Sequence, residues 1–66
     1  MRTNDGYEVE NGSSIYVAYP SKEGWYSPIN VNMYDSKAHF KFWFRDEVNC
    51  QKECDKFNEW KTNQLK

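Results

Sequence analysis

The chain has 66 residues, a formal net charge of −1 at pH 7 and 18% aromatic residues. A chain of this length forms one domain, taken here as residues 1–66, and it buries only about 60% of its extended-chain surface. The small core must therefore depend on aromatic residues, and the near-neutral charge argues against a polyanion-binding protein or an acidic mimic of nucleic acid.

The N-terminal residues MRTNDGYEVE lack the apolar segment of a signal peptide. No stretch of the sequence approaches the ~18 consecutive apolar residues that a membrane-spanning helix needs. Two cysteines in a chain without a leader favour free thiols in a reducing compartment. We therefore expect a cytoplasmic protein that does not bind a membrane.

Two extended segments, YEVE and SSIYVAY, flank Asn11-Gly12 near the N-terminus. Asn-Gly is the strongest short signal for a β-hairpin, because both residues accept the positive φ angles of a type I′ turn. The sequence therefore predicts a hairpin at this dipeptide, with its register left open. The following PSKEGWYSP, residues 20–28, contains two prolines and a glycine, which predicts a loop that carries Trp25 and Tyr26.

Two further strands are predicted in the middle of the chain. INVNMYD, from Ile29 to Asp35, alternates apolar and polar residues, and HFKFWFR, from His39 to Arg45, alternates phenylalanine with other side chains. Alternation with a period of two is typical of strands with one buried face. We expect these two strands to pair in an antiparallel arrangement.

The segment from Asp46 onward predicts the one helix of the chain. Asp46 has the side chain of an N-cap residue, and Glu47 places negative charge in the first turn. A stripe at helical spacing is expected to face the sheet, and it consists of Cys50, Cys54, Phe57, Lys61 and Leu65. Trp60 lies on the flank of this stripe, where we expect it to cover the core.

These elements predict an α+β domain of two layers. An antiparallel meander of three or four strands, roughly residues 7–45, packs one face against the C-terminal helix, roughly residues 46–64. The sheet residues expected beneath the helix are Ile15, Val17, Ile29, Val31, Phe40, Phe42 and Phe44.

No motif in the sequence indicates catalysis or a bound cofactor. Cys50 and Cys54 are one helical turn apart, but a zinc site requires four ligands, and the single histidine, His39, is expected on the opposite sheet face. The two cysteines are instead predicted to be small core residues. The sequence has neither a GxSxG serine nor a glycine-rich phosphate loop. We therefore expect a protein that is not an enzyme and that uses neither metal nor cofactor.

The sheet face away from the helix is the predicted functional surface. The residues expected to contact a partner there are Tyr16, Tyr34, His39, Lys41, Trp43 and Arg45. Tryptophan, tyrosine and arginine dominate the binding energy of protein interfaces. The same types stack on bases and hold phosphates, but Lys41 and Arg45 are the only firm cations of this face, and strong nucleic-acid binding uses about six or more phosphate contacts.

A protein-binding module is therefore the favoured interpretation. A single-stranded nucleic-acid binder that uses the same face is the first alternative. A small structural or regulatory homodimer, joined by this face or by an edge strand, is the second. A purely structural role also stays open, since cross-strand aromatic pairs stabilise sheets and Trp43 can cover a neighbouring strand.

The chain as a whole resembles the small accessory proteins that bacteriophages encode. The resemblance lies in a start at Met1 without a leader, a high content of Asn, Lys, Tyr and Trp, and a sheet followed by a helix of the type FRDEVNCQKECDKFNEW. It concerns general style and carries over no functional residue. It implies a protein that binds and inhibits, or redirects, one host protein in the host cytoplasm, including proteins of host defence.

Overall fold

Three strands and one helix form the regular structure of the described part of the chain. The computed structural model describes residues 2–10, 12–32 and 42–65. Its elements, in chain order, are β1 (Ser14–Pro20), β2 (Tyr26–Asn32), β3 (Trp43–Phe44) and α1 (Glu47–Gln64). The strand predicted from His39 to Arg45 is therefore described only in its last part, and Phe40 lies outside the described residues.

A tight hairpin joins β1 to β2 through the sequence SKEGW, residues 21–25. The backbone N–H of Ser21 donates to the Trp25 carbonyl at 2.7 Å, and the N–H of Gly24 donates to the Ser21 carbonyl at 2.9 Å. Gly24 has a φ of +83°, a left-handed conformation that costs glycine little. Ser21 and Trp25 thus close the turn, and the three residues between them, 22–24, form the loop. A three-residue loop that ends in such a glycine is a common hairpin connection.

The hairpin predicted at Asn11-Gly12 is wrong. Asn11 lies outside the described residues, and residues 7–10 form no strand with β1, whose two partners are β2 and β3. Glu8 instead makes an isolated bridge with Arg2, and the backbone N–H of Thr3 donates to the Tyr7 carbonyl at 2.8 Å. The N-terminal segment thus folds back on itself. The loop predicted over residues 20–28 is also shorter than expected, because pairing with β1 extends β2 back to Tyr26.

Strand β1 lies in the middle of the sheet, which has the order β2-β1-β3 with antiparallel pairing on both sides. The predicted α+β class, with an antiparallel sheet on one C-terminal helix, is confirmed. The order corrects the expected meander, in which β3 would lie beside β2. The chain between Asn32 and Trp43 is long enough to reach the far side of β1, a distance of roughly two strand spacings of about 4.8 Å.

The helix begins where the sequence predicts it. Asp46 is the N-cap, with extended backbone angles, and its carboxylate accepts from the backbone N–H of Asn49 at 2.8 Å. Both cysteines are fully buried and Phe57 packs against them, which confirms the first half of the predicted stripe. Leu65 is 74% exposed. The predicted stripe therefore does not continue to Leu65.

The two faces of the sheet carry separate clusters of buried residues. The face under the helix, which we call the helix face, has a cluster of Ala18, Phe44, Cys50 and Cys54, with Tyr16, Tyr26 and Phe57 packed against it. The opposite face, which we call the aliphatic face, has a cluster of Ile15, Val17 and Val31, with Val9 and Trp43 packed against it. Both sides of this small sheet therefore contribute to the core.

The strand register explains this division and corrects the expected core. Tyr16 pairs with Phe44, and Val17 pairs with Trp43. Cross-strand partners share a face, so the helix face holds Tyr16 and the aliphatic face holds Val17. Pairing with β2 places three further aliphatic residues with Val17, namely Ile15, Ile29 and Val31. The prediction that the helix covers these residues is wrong, whereas the prediction for Phe42 and Phe44 is confirmed, since Phe42 meets the Phe57 ring at 5.5 Å.

Candidate functional site

The structure does not bring the predicted partner-binding residues together on one face. Three of them, Tyr34, His39 and Lys41, lie outside the described residues. Tyr16 lies on the helix face, half-buried against the cluster of Phe44 and the cysteines, whereas Trp43 lies on the aliphatic face. The pleat separates them because Tyr16 pairs with the residue that follows Trp43 in the chain.

Trp43 is the end of a row of side chains that crosses the aliphatic face. Val17 of β1 pairs with Ile29 of β2 on one side and with Trp43 of β3 on the other. Val17 is completely buried, Trp43 is half-buried and Ile29 is 38% exposed. Trp43 therefore packs over the centre of the sheet, and the apolar surface opens toward β2.

Arg45 is held by the N-terminal segment. Its guanidinium carbon lies 4.3 Å from the centre of the Tyr7 ring, a cation–π contact. Its backbone N–H donates to the Asp5 carboxylate at 3.3 Å, and the same carboxylate accepts from the Asn49 side chain at 3.3 Å. Arg45 thus ties the segment before β1 to the start of the helix, as well as carrying charge at the surface.

Three large side chains are exposed together at the hairpin end of the aliphatic face. Tyr19 is 42% exposed, Trp25 is 41% exposed, and Ile29 completes the group. Tyr19 lies opposite Ser27, so residues 25 and 29 are its diagonal neighbours across the strand pair. We call these three residues the hairpin patch. The sequence reading missed it because Trp25 was assigned to a loop and Tyr19 was not assigned to a face, although Gly24 three residues after Ser21 signals this hairpin.

An asparagine closes one backbone position on each edge strand of the described sheet. On β2, the Tyr26 N–H donates to Asn58 Oδ1 at 2.6 Å, and Asn58 Nδ2 donates to the Tyr26 carbonyl at 3.0 Å. On β3, the Asn4 N–H donates to the Trp43 carbonyl at 2.7 Å, and the Trp43 N–H donates to Asn4 Oδ1 at 2.7 Å. Each asparagine makes the two hydrogen bonds that a neighbouring strand would make at that residue. The backbone N–H and carbonyl of Tyr26 and of Trp43 are therefore not free to pair with another strand.

A groove lies between the start of β2 and the helix. Its volume is about 410 Å³, and the described residues that line it are Tyr26, Lys56, Phe57 and Trp60. The Tyr26 and Phe57 rings lie 4.6 Å apart between centres, at an angle of 34°. Trp60 is 61% exposed, so the expectation that it covers the core is wrong. We call this site the helix groove.

The cysteines lie in surroundings that suppress thiol chemistry. Burial, with the neighbouring Cys54 as the second cause, raises the pKa of Cys50 to about 12. Burial also raises the pKa of Cys54. Because the thiolate is both the nucleophile and the metal ligand, two neutral buried thiols are poorly suited to either role. Among residues 2–10, 12–32 and 42–65, no group of three or more His, Cys, Asp or Glu side chains is placed to hold a metal ion.

No family model, no curated protein and no solved structure matches the chain. The described part of the chain contains no helix that is long and apolar enough to cross a membrane. The functional assignment therefore rests on the geometry of the hairpin patch, the helix groove and the residues around them.

Proposed function

We propose that this protein is a non-enzymatic protein-binding module that acts by covering a surface of its partner with the hairpin patch. The observation that carries the proposal is the exposure of Tyr19, Trp25 and Ile29 side by side, on a face whose other aliphatic residues are buried. Isolated exposed apolar residues are common on proteins, but adjacent aromatic and aliphatic residues are typical of interaction surfaces.

The hairpin patch is built to bind without rearrangement. Its residues are held by seven register pairs between β1 and β2 and by the closed turn at Gly24. Tyrosine and tryptophan supply a large contact area with few rotatable bonds, which lowers the entropy lost on binding. On the same face, Val17 is buried next to Ile29, and the half-buried Trp43 packs against the cluster to which Val17 belongs. The sequence predicts that Trp43 contacts the partner; in this proposal Trp43 packs on the same face, next to the residues that make the contact.

Charge favours a protein over a nucleic acid as the partner. The strand positions of the aliphatic face from Ile15 to Tyr19 and from Ser27 to Val31 carry no lysine or arginine. Of the described cations, Arg45 of that face lies over Tyr7, and Lys22 lies in the turn next to the patch. Stacking of bases on Tyr19 and Trp25 would lack the phosphate contacts that supply most nucleic-acid affinity.

The resemblance to small phage accessory proteins suggests the way in which this module acts. A module of 66 residues that presents a rigid apolar patch suits the inhibition or redirection of one host protein by occlusion. We place its action in the cytoplasm of the host cell, where two buried free thiols stay reduced.

A co-purification experiment with paired variants tests this function. The tagged protein is incubated with nuclease-treated bacterial lysate, as wild type, as Ile29→Glu and as Val48→Glu. Ile29 belongs to the hairpin patch, whereas Val48 is a 66%-exposed apolar residue on the helix that serves as the matched control. We expect one protein to be retained in stoichiometric amount by the wild type and by Val48→Glu, and to be lost with Ile29→Glu because a buried charge opposes docking.

The dependence on salt and on concentration separates the alternatives. Retention through an apolar patch should change little between about 50 and about 500 mM salt, whereas nucleic-acid binding falls steeply with the logarithm of salt concentration. Loss of the partner in both variants, or recovery of nucleic acid alone from untreated lysate, contradicts the proposal. A mass that rises with protein concentration in the wild type and not in Ile29→Glu assigns the patch to a homodimer instead. Circular dichroism of each variant confirms that it is folded.

A further inference from the structure

The helix groove is separate from the hairpin patch. Trp25 and Tyr26 are consecutive, so the pleat sends Trp25 toward the aliphatic face and Tyr26 toward the helix face. Tyr26 is fixed there by the two hydrogen bonds between its backbone and Asn58, and its ring packs on Phe57. The floor of the groove is therefore rigid, and a ligand in it would not touch the hairpin patch.

Three aromatic side chains form the apolar part of the groove. Its floor consists of the Tyr26 and Phe57 rings, and Trp60 forms an exposed wall. Aromatic rings in such an arrangement accept another ring by edge or offset packing, worth more than the area buried alone. A tryptophan that is 61% exposed contributes little to the core, so its packing surface is available to a ligand.

The polar groups at the rim are mostly hydrogen-bond donors. The indole N–H of Trp60 can only donate, and the Lys56 ammonium is a cation with three donors and no acceptor. The structure gives the Trp60 indole no hydrogen-bond partner among the described residues, and no carboxylate is among the described residues that line the groove. A donor-rich rim above an aromatic floor selects a ligand that combines an apolar group with an anion.

The ion pair of Lys56 does not block this role. Its Nζ lies 3.8 Å from a Glu53 carboxylate oxygen, the spacing is i,i+3, and the Lys56 side chain is exposed. Such pairs contribute little because water screens them and both side chains lose freedom. A ligand carboxylate can therefore replace Glu53 as the partner of Lys56.

We propose that the helix groove is a second binding site, and that it takes an acidic peptide segment of a partner protein. An aromatic or leucine side chain of the segment lies against Tyr26, Phe57 and Trp60. An adjacent Asp or Glu carboxylate contacts Lys56 and the Trp60 indole N–H. This site is independent of the function proposed for the hairpin patch, since it lies on the other side of the sheet.

A pair of charge-reversed peptides tests the site. Two acetylated and amidated pentapeptides are used, each with a central phenylalanine, one flanked by glutamates and the other by lysines. Binding to the 66-residue chain is followed by the NMR resonance of the Trp60 indole N–H and by backbone amide shifts. We expect saturable binding of the acidic peptide, with an affinity roughly fivefold higher than that of the basic peptide, as for one exposed charge pair.

Variants assign the effect to named groups. Lys56→Ala should remove the preference for the acidic peptide, whereas Lys52→Ala, an exposed lysine of the same helix outside the groove, should leave it unchanged. Trp60→Ala should abolish binding of both peptides, which in that variant is followed by the backbone amides. Because Trp60 is largely exposed, loss of the fold is unexpected in this variant.

Three results would overturn the proposal: affinities that agree within about twofold for the two peptides, unchanged binding in Trp60→Ala, or no saturable shift. Ile29→Glu should bind the acidic peptide normally, so failure of the hairpin patch and failure of the groove are distinguishable.

Discussion

At the scale of single residues, the two cysteines show how position decides chemistry. Cys50 and Cys54 are spaced by one turn and could share a metal or react with an oxidant if they were exposed. Their complete burial instead keeps both thiols protonated, and the pKa of Cys50 rises to about 12. They act as small apolar side chains beneath Phe44, in agreement with the interpretation from the sequence.

The raised pKa of Cys50 predicts a loss of stability at alkaline pH. In the unfolded chain the thiol ionises near its ordinary pKa of 9.0, whereas in the folded chain it stays protonated to about 12. Its contribution to stability is therefore complete below pH 9 and is lost as the pH rises toward 12. We expect the free energy of unfolding in urea, measured from about pH 8 to about pH 10.5, to fall more steeply in the wild type than in Cys50→Ala.

The prediction compares how steeply the free energy of unfolding falls with pH in the two proteins, and not the free energies themselves. Cys50→Ala will be less stable at every pH because it leaves space in a packed core. The other ionisable side chains are present in both proteins, so their effects largely cancel in the difference between the two slopes. Equal slopes in the two proteins would show that Cys50 ionises equally easily in the folded and unfolded states.

At the scale of elements, the β1–β2 hairpin depends on the backbone of one glycine. Gly24 has a φ of +83°, so any other residue there adopts the left-handed conformation. We expect Gly24→Ala to lower the free energy of unfolding by about 1–2 kcal/mol, and Gly24→Asn to lower it by less, because asparagine tolerates this conformation better. Urea titrations of the three proteins measure both differences.

A second glycine provides the control for this prediction. Gly6 has a φ of +90°, but a Cβ atom added to it would meet no atom within 4 Å, whereas one added to Gly24 would lie 2.5 Å from Lys61 Nζ. Both variants place alanine at a positive φ angle. The difference between their free energies of unfolding therefore measures two effects at Gly24, namely the displacement of the flexible Lys61 side chain and the contribution of the turn to stability. If alanine and asparagine at position 24 are equally tolerated, the turn does not hold the hairpin in this conformation.

At the scale of the whole molecule, two asparagines limit how the sheet can extend. Asn4 closes β3 at Trp43, and Asn58 closes β2 at Tyr26. Unpaired edges invite pairing with another chain, so this closure opposes self-association through the sheet. The edge-strand route to a homodimer, expected as one alternative from the sequence, would have to displace these contacts in order to pair at Tyr26 or at Trp43.

We predict that the double variant Asn4→Ala/Asn58→Ala self-associates more strongly than the wild type as the protein concentration rises. Each substitution removes side-chain bonds to an edge backbone and should also cost about 1–3 kcal/mol of stability. Sedimentation velocity over a concentration series measures the association. Asn63→Ala, on an exposed position of the same helix, is the matched control for the loss of an asparagine. A double variant that is folded and no more associated than this control would refute a role of the asparagines in protecting the edges.

Local signals predicted much of the fold. The alternation around Phe42 and Phe44, the Asp46 N-cap and the stripe through Cys50, Cys54 and Phe57 each depend on neighbours a few residues away, and the structure confirms them. The helical period carries no information on how far the sheet extends. The sequence therefore predicts that the stripe continues to Leu65, and that Trp60 covers the core. Both side chains instead lie largely in solvent.

The candidate site was less accessible to sequence reasoning. Assigning Tyr16 and Trp43 to one face required the register between two strands, and a shift of one residue moves a side chain to the other face. The hairpin patch and the helix groove each combine residues from segments that the sequence reading had kept apart. The groove, for example, joins Tyr26 of a predicted loop to Trp60 of the helix.

The sequence by itself determined the α+β class, the position of the helix, the buried cysteines and the face of Phe42 and Phe44. These follow from backbone preferences and periodic patterns, which act within one element. Only the tertiary structure decided that β1 lies between β2 and β3, that Tyr16 lies under the helix, and that Trp25 and Trp60 are exposed on different surfaces. The physical reason is that strand pairing is a contact between distant parts of the chain. Several registers satisfy the same alternation, and packing on both faces of the sheet selects among them.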